Sequence, residues 1–214
     1  MRRSRKLIGL CLALALPACR SAIAERPIRP VRHVELSRYM GRWYVIASIQ
    51  TGFGGSGYDQ VETYRLQPDG DIRTSFRFHR GGFGGPLKTI HSTATVVPGS
   101  GNAEWTVHLL WLLREQYIVA WLAPDYSRVI VARDARDYVW LMARTPQICA
   151  SDYRAMAARV RAMGYDLARL RKVPQRWPAG ESCAGLRKRR LSACTAAHPG
   201  RSSGTDSRRR NAGT

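Results

Sequence analysis

The feature that most constrains this chain is a two-residue alternation of apolar and polar side chains that returns again and again between turn signals. Over residues 71–79, Ile72, Thr74, Phe76 and Phe78 share one parity, while Arg73, Ser75, Arg77 and His79 share the other. A period of two belongs to a strand with one face buried. The same pattern joins Trp43, Val45, Ala47 and Ile49, then Trp105, Val107, Leu109 and Trp111, then Tyr117, Val119 and Trp121. Turn residues punctuate it at Pro68-Asp69-Gly70, at residues 98–102, at Pro124-Asp125-Tyr126 and over residues 134–137. Eight strands result, near residues 42–49, 58–66, 71–79, 88–97, 105–111, 117–121, 128–132 and 138–144. Such a meander predicts an all-β, eight-stranded antiparallel up-and-down barrel, with room inside for one small ligand.

After Pro146 the period changes to that of a helix. Tyr153, Met156, Ala157, Val160 and Met163 recur at helical spacing, Ser151 stands as N-cap, Asp152 suits the first turn and Gly164 terminates. This single helix is expected against the barrel wall, followed by a short strand over residues 167–173. Residues 34–39 read as a helical turn plugging one end. Counting strand ends places Trp43, the Asp125-Tyr126 turn and Arg144 at that same closed end, where the Arg144 guanidinium can stack on the Trp43 indole. Gly41 reads as a position where a side chain would crowd that indole. Two Gly-Phe-Gly-Gly loops, at residues 52–55 and 82–85, fall at the open end, with Phe53 and Phe83 as apolar lids or with glycine supplying freedom alone. Parity sends Ile72, Phe76, Phe78, Val107, Leu109, Trp111, Val119, Trp121, Trp140 and Met142 inward as candidate ligand-lining residues. The end count puts Arg80, Lys88, Arg114 and Arg136 near the mouth, where an anionic headgroup would need a cation.

Gly41-Arg42-Trp43-Tyr44, the Asp125-Tyr126 turn and Trp140-Leu-Met-Ala-Arg144-Thr-Pro146, followed by one helix, resemble the three short motifs of the lipocalin family. The wording is most similar to the bacterial outer-membrane lipocalins and their apolipoprotein D-like relatives, over residues 34–178. The resemblance implies a structural motif made by Gly41, Trp43, Asp125, Tyr126 and Arg144. It further implies binding, storage or transport of a fatty acid or lysophospholipid, in envelope maintenance or stress; a homodimer is among the arrangements it allows. The alternative is a structural or partner-binding envelope lipoprotein whose barrel is filled.

The ends of the chain bear on location. Residues 1–18 carry a basic start and a short apolar run, too short to span a bilayer, and read as a signal peptide. Leu16-Pro-Ala-Cys19 resembles a lipobox, which makes Cys19 the lipid-attachment residue and residues 19–33 a lipidated start and linker. Arg20 in place of aspartate then points to the outer membrane, on its periplasmic side. Ala22-Ile-Ala24 offers the competing reading of a cleaved, soluble periplasmic protein. Residues 179–214 form a basic tail poor in large apolar side chains, expected to be disordered. A bridge from Cys149 to Cys183 and an unpaired thiol are both open, and Cys194 lies in the tail.

The net charge of +20 raises the question of nucleic acid. Much of it sits in the leader and tail, and the arginines of the strands are not interleaved with aromatics, so no nucleic-acid partner is expected. The five histidines have no serine, cysteine or paired carboxylate that spacing places beside them. Glu62 and Glu115 read as isolated acids. The expectation is a binding protein, with no catalytic residues, no metal site and no cofactor.

Overall fold

The computed structural model describes residues 26–50, 57–109 and 113–176. A short helix, α1 (Leu36–Tyr39), leads into β1 (Gly41–Ile49), β2 (Gly57–Leu66), β3 (Ile72–Arg80) and β4 (Leu87–Val96). Then come β5 (Glu104–Leu109), β6 (Leu113–Leu122), β7 (Arg128–Ala132) and β8 (Val139–Ala143). Each strand pairs antiparallel with the next, and β1 pairs with both β2 and β8, so the sheet closes into the expected barrel. Helix α2 (Ala150–Ala162) follows, then a 3-10 turn at Leu167–Arg169 and the two-residue β9 (Arg171–Lys172), which pairs with the end of β1. The expected strand over 167–173 is cut short because the Asp166 side chain accepts from the Ala168 amide and holds the 3-10 turn. Cys149, not Ser151, occupies the N-cap of α2, and Ser151 is exposed in the first turn. Asp152 stands in the first turn as expected and is also ion-paired with Arg128 of β7, tying the helix to the wall.

Two apolar clusters divide the molecule. The inner one fills the closed half of the barrel around Trp43, Tyr64, Ile72, Trp105, Tyr117, Val119 and Met142. The outer one lies between α2 and the wall made by β1, β6, β7 and β8, with Met156 and Val160 of the helix set against Ala47, Ile130, Val139 and Leu141. Strands β7 and β8 therefore have two buried faces, and each of their large side chains contributes about 1.5–3 kcal/mol of burial.

Strand bulges redistribute residues between these clusters. The register of β1 against β8 shifts between Val45 and Ala47. Trp43 and Val45 thus point inward, whereas Ala47 and Ile49, expected beside them, turn out toward α2. A second shift, between Val119 and Trp121 of β6, has the same effect. Trp121 lies in the outer cluster under Arg159, whose guanidinium is 4.9 Å from its ring, and not in the lumen. An extra residue in one strand flips every later side chain to the other face.

The segment before α1 is not a free linker over its described part. Ile28 is buried in the outer cluster, its amide donates to Asp134 Oδ1 at 2.6 Å, and the Val31 amide donates to the Val119 carbonyl. Gly101, with φ +63°, lets the chain pass: a Cβ there would lie 2.1 Å from the Arg32 carbonyl oxygen.

Candidate functional site

The closed end is built by the short motifs. Arg144, leaving β8, sits 3.8 Å over the Trp43 ring. Its Nη2 donates to the carbonyls of Arg38 and Tyr39 at 2.6 and 2.9 Å, and its Nη1 to the carbonyl of Arg42 at 2.9 Å. The Trp43 indole also donates to the Tyr39 carbonyl at 2.8 Å. Asp125 accepts from the amide and hydroxyl of Ser127, shaping the turn in which Tyr126 takes φ +57°. The Tyr126 hydroxyl accepts from the Glu35 amide at 2.8 Å. Gly41 belongs here for a different reason from the expected one. Its φ is +91°, strained for any side chain, and a Cβ would meet Arg144 at an ordinary 3.5 Å rather than crowd the indole.

Above this latch lies a floor of tyrosines. The Tyr39 and Tyr117 hydroxyls are 2.7 Å apart, Tyr117 donates to Tyr64 at 2.7 Å, and Trp105 stacks flat on Tyr117 with centroids 4.5 Å apart. Burial holds all three phenols above their ordinary range.

The lumen over that floor is a cavity of about 150 Å³. Its middle is apolar, formed by Phe76, Ile90, Val107, Leu109 and Trp140. Its deep end carries Glu62, Tyr64, Thr74, Ser92 and Tyr117, and its outer end Gln50, Glu115, Gln116, Arg133 and Tyr138. Glu62 is enclosed by protein, and the surface it keeps faces the cavity. Burial pushes its carboxyl up to about 8, against a smaller opposing effect from a hydrogen bond with Thr74. At the other end Arg133 is ion-paired with Glu115 at 2.6 Å and with Asp137 at 3.5 Å, and lies over the Tyr138 ring. Arg133 Nε and Trp140 Nε1 are buried donors with no acceptor among the described residues.

Of the lining expected from parity, Phe76, Val107, Leu109 and Trp140 border this cavity. Ile72, Val119 and Met142 lie deeper, in the packed closed half. Phe78 is buried beside Phe76, with ring centroids 5.2 Å apart. Trp121 is on the outer wall, and Trp111 is outside the described residues, as are Phe53, Cys19, Cys183 and Cys194. Phe83 packs edge-on against Tyr58 at 5.0 Å and does not border the cavity.

Arg80, Lys88 and Arg114 do stand at the open-end termini of β3, β4 and β6, but none of the four expected cations lines the cavity. Arg80, Lys88 and Arg114 are exposed, and Arg136 donates to the carbonyls of Arg26, Asp134 and Met163, pinning the N-terminal segment and the helix end. The cation at the cavity is Arg133. Parity with Val129 and Val131 could have located it, just as the pairing of Glu62 with Phe76 marks an acid on the inward face.

Comparison with known proteins agrees with this architecture. The sequence model of the family described as lipocalin-like domain matches residues 34–175. Temperature-induced lipocalin-1 of Arabidopsis thaliana is 30% identical over 159 residues, covering 71% of this chain and 84% of that protein. The outer membrane lipoprotein Blc of Vibrio cholerae is 29% identical over 153 residues, covering 69% and 86% respectively. Its Escherichia coli K12 counterpart is 26% identical over 163 residues, covering 76% and 92%. Among solved structures, insecticyanin from the tobacco hornworm superposes with a TM-score of 0.55 at 11% identity, over 72% of this chain and 86% of its own.

Proposed function

The chain belongs to the lipocalin-like family, and from that premise we propose that its barrel binds and carries a lipophilic ligand, a fatty acid or lysophospholipid. One observation carries the reading: an enclosed lumen whose middle is lined by Phe76, Ile90, Val107, Leu109 and Trp140 and whose outer end carries polar groups, among them Gln50, Gln116 and Arg133. A headgroup would lie among these polar groups at the mouth. The hydrocarbon tail would then run down past Phe76, Val107 and Leu109. A cavity of about 150 Å³ encloses only part of a long chain; the remainder would extend through the mouth. Glu62, neutral below about pH 8, lets that tail lie deep without facing a charge.

The outer membrane is the proposed place of action, in envelope maintenance or stress. The names of the bacterial relatives support it, together with the Leu16-Pro-Ala-Cys19 sequence. A second reading is favoured by the packed closed half around Trp105, Tyr117 and Met142, in which the barrel is filled and serves a structural or partner-binding role.

Titration of delipidated protein with a fluorescent fatty acid, read by tryptophan quenching, separates the two. The carrier reading expects saturable micromolar binding, weakened at least tenfold by Phe76→Asp in a variant that keeps its circular dichroism. Absence of binding to fatty acids and lysophospholipids alike leaves the filled barrel.

A further inference from the structure

The outer face of β2 to β5 is the opposite of the helix-covered wall. Its cross-strand rows are polar and basic. One row runs Arg42, Thr63, Ser75, His91, and the next runs Arg65, Arg73, Thr93, His108, Arg114, each neighbour being a register partner of the last. Arg77 stands beside them, and these residues, Arg114 apart, border one open concavity. Arg42, Arg65, Arg73, Arg77 and Arg114 are exposed, and among the described residues none of them is ion-paired with a carboxylate. Among the acids of these strands, Glu62 faces the lumen and Asp59 pairs with Arg176, while Asp71 and Glu104 stand at the closed-end edge of the face, where Asp71 accepts from the Thr95 hydroxyl.

The pairing of Arg65 with Arg73 is the telling detail. Like charges directly opposite each other in a sheet are destabilising, and nothing in the barrel's packing requires arginine at either outward position. The cost is recovered when an anion bridges the two guanidinium groups, which present fork-shaped donors suited to phosphate oxygens. Thr63, Ser75 and Thr93 add hydroxyls between the cations, and His91 and His108 add ring nitrogens. We propose that this face is a docking surface for phosphate-bearing lipid headgroups, laying the barrel wall against an anionic membrane. Nucleic acid suits it less well. No phenylalanine, tyrosine or tryptophan stands in either row to stack on a base, and the face offers no protruding helix or ribbon to enter a groove. This surface is independent of the lumen and of what the lumen binds.

The test uses the full chain carrying Cys19→Ser, so that no acyl anchor contributes, and sedimentation with vesicles of phosphatidylcholine alone or with one quarter phosphatidylglycerol. Combined Arg65→Gln, Arg73→Gln and Arg77→Gln is expected to weaken binding to the anionic vesicles by roughly a hundredfold, about fivefold for each arginine near the surface. Binding should also fall steeply with salt. The control removes three exposed arginines from the other side of the molecule, by Arg154→Gln, Arg161→Gln and Arg169→Gln. The control should lose less than fivefold. An equal loss in the control, unchanged binding in the first variant, or tighter binding to single- or double-stranded DNA than to vesicles at the same salt overturns the proposal. Circular dichroism of each variant excludes unfolding as the source of a loss.

Discussion

A carboxyl group enclosed in an apolar lumen makes this protein's stability depend on pH. Glu62 is held protonated up to about pH 8 by burial, against an ordinary glutamate value of 4.5. Its folded value is raised, so its contribution is fully present below about pH 4.5 and is lost as pH climbs toward 8. Over that window the unfolded chain has released the proton while the folded chain retains it, and linkage then favours unfolding. The effect across the window is at most about 5 kcal/mol. Glu62→Gln keeps the size and hydrogen bonding of the group without its titration. Urea unfolding at pH 5 and pH 8 should show the parent losing stability with rising pH and the variant losing distinctly less. Equal slopes in the two would mean that Glu62 is ionised inside the fold. Fatty-acid affinity should take the same course, weakening above pH 8 in the parent only.

At the scale of elements, the closed end depends on one side chain that touches four of them. Arg144 leaves β8, stacks on Trp43 of β1, donates to carbonyls at the end of α1, and approaches the Tyr126 carbonyl of the β6–β7 turn at 3.4 Å. Burial depresses its guanidinium, and the phenols beneath it act in the opposite sense. Truncation to alanine removes the ring contact, about 0.5–2 kcal/mol, and leaves the Arg38, Tyr39 and Arg42 carbonyls short of a donor. Arg144→Ala is therefore expected to cost about 2–4 kcal/mol in denaturant unfolding. Arg144→Lys should recover little of it, since an ammonium cannot reproduce the planar fork. Ligand stoichiometry should stay unchanged, because Arg144 does not border the cavity. A variant as stable as the parent would show that α1 and the inner core close the barrel by themselves.

For the whole molecule, the barrel has two unlike outer walls. The wall of β6 to β8 is apolar and covered by α2, while that of β2 to β5 is basic and bare of any helix among the described residues. Residues 26–33 run along the barrel and arrive at the closed end through α1. An acyl group on Cys19 would therefore tether the barrel by a strap that is itself docked from Arg26 onward. If Cys19 carries the anchor, metabolic labelling with a palmitate analogue marks the protein, and Cys19→Ser abolishes the label. Because the basic face would still contact anionic lipid, release of that variant should be complete only at high salt. Absence of label, with the parent and Cys19→Ser released alike at high salt, would favour cleavage after Ala24.

Local periodicity by itself determined the strand count, the single helix and the meeting of Trp43, Asp125 and Arg144, because alternation and strand ends are properties of consecutive residues. Even the inward set was largely legible: Phe76, Val107, Leu109 and Trp140 border the cavity, and Ile72, Val119 and Met142 fill the closed half. Only the tertiary structure decided what lay beyond a bulge. Ala47, Ile49 and Trp121 keep the parity of their strands in sequence yet face α2, since one extra residue in β1 and one in β6 turn the later side chains of each strand outward. It also decided which charges matter. Arg136 was expected at the mouth and is engaged by backbone carbonyls, while Arg133 and Glu62 occupy the lumen. A charge acquires its role from the burial and partners around it, and these come from strands far apart in the chain.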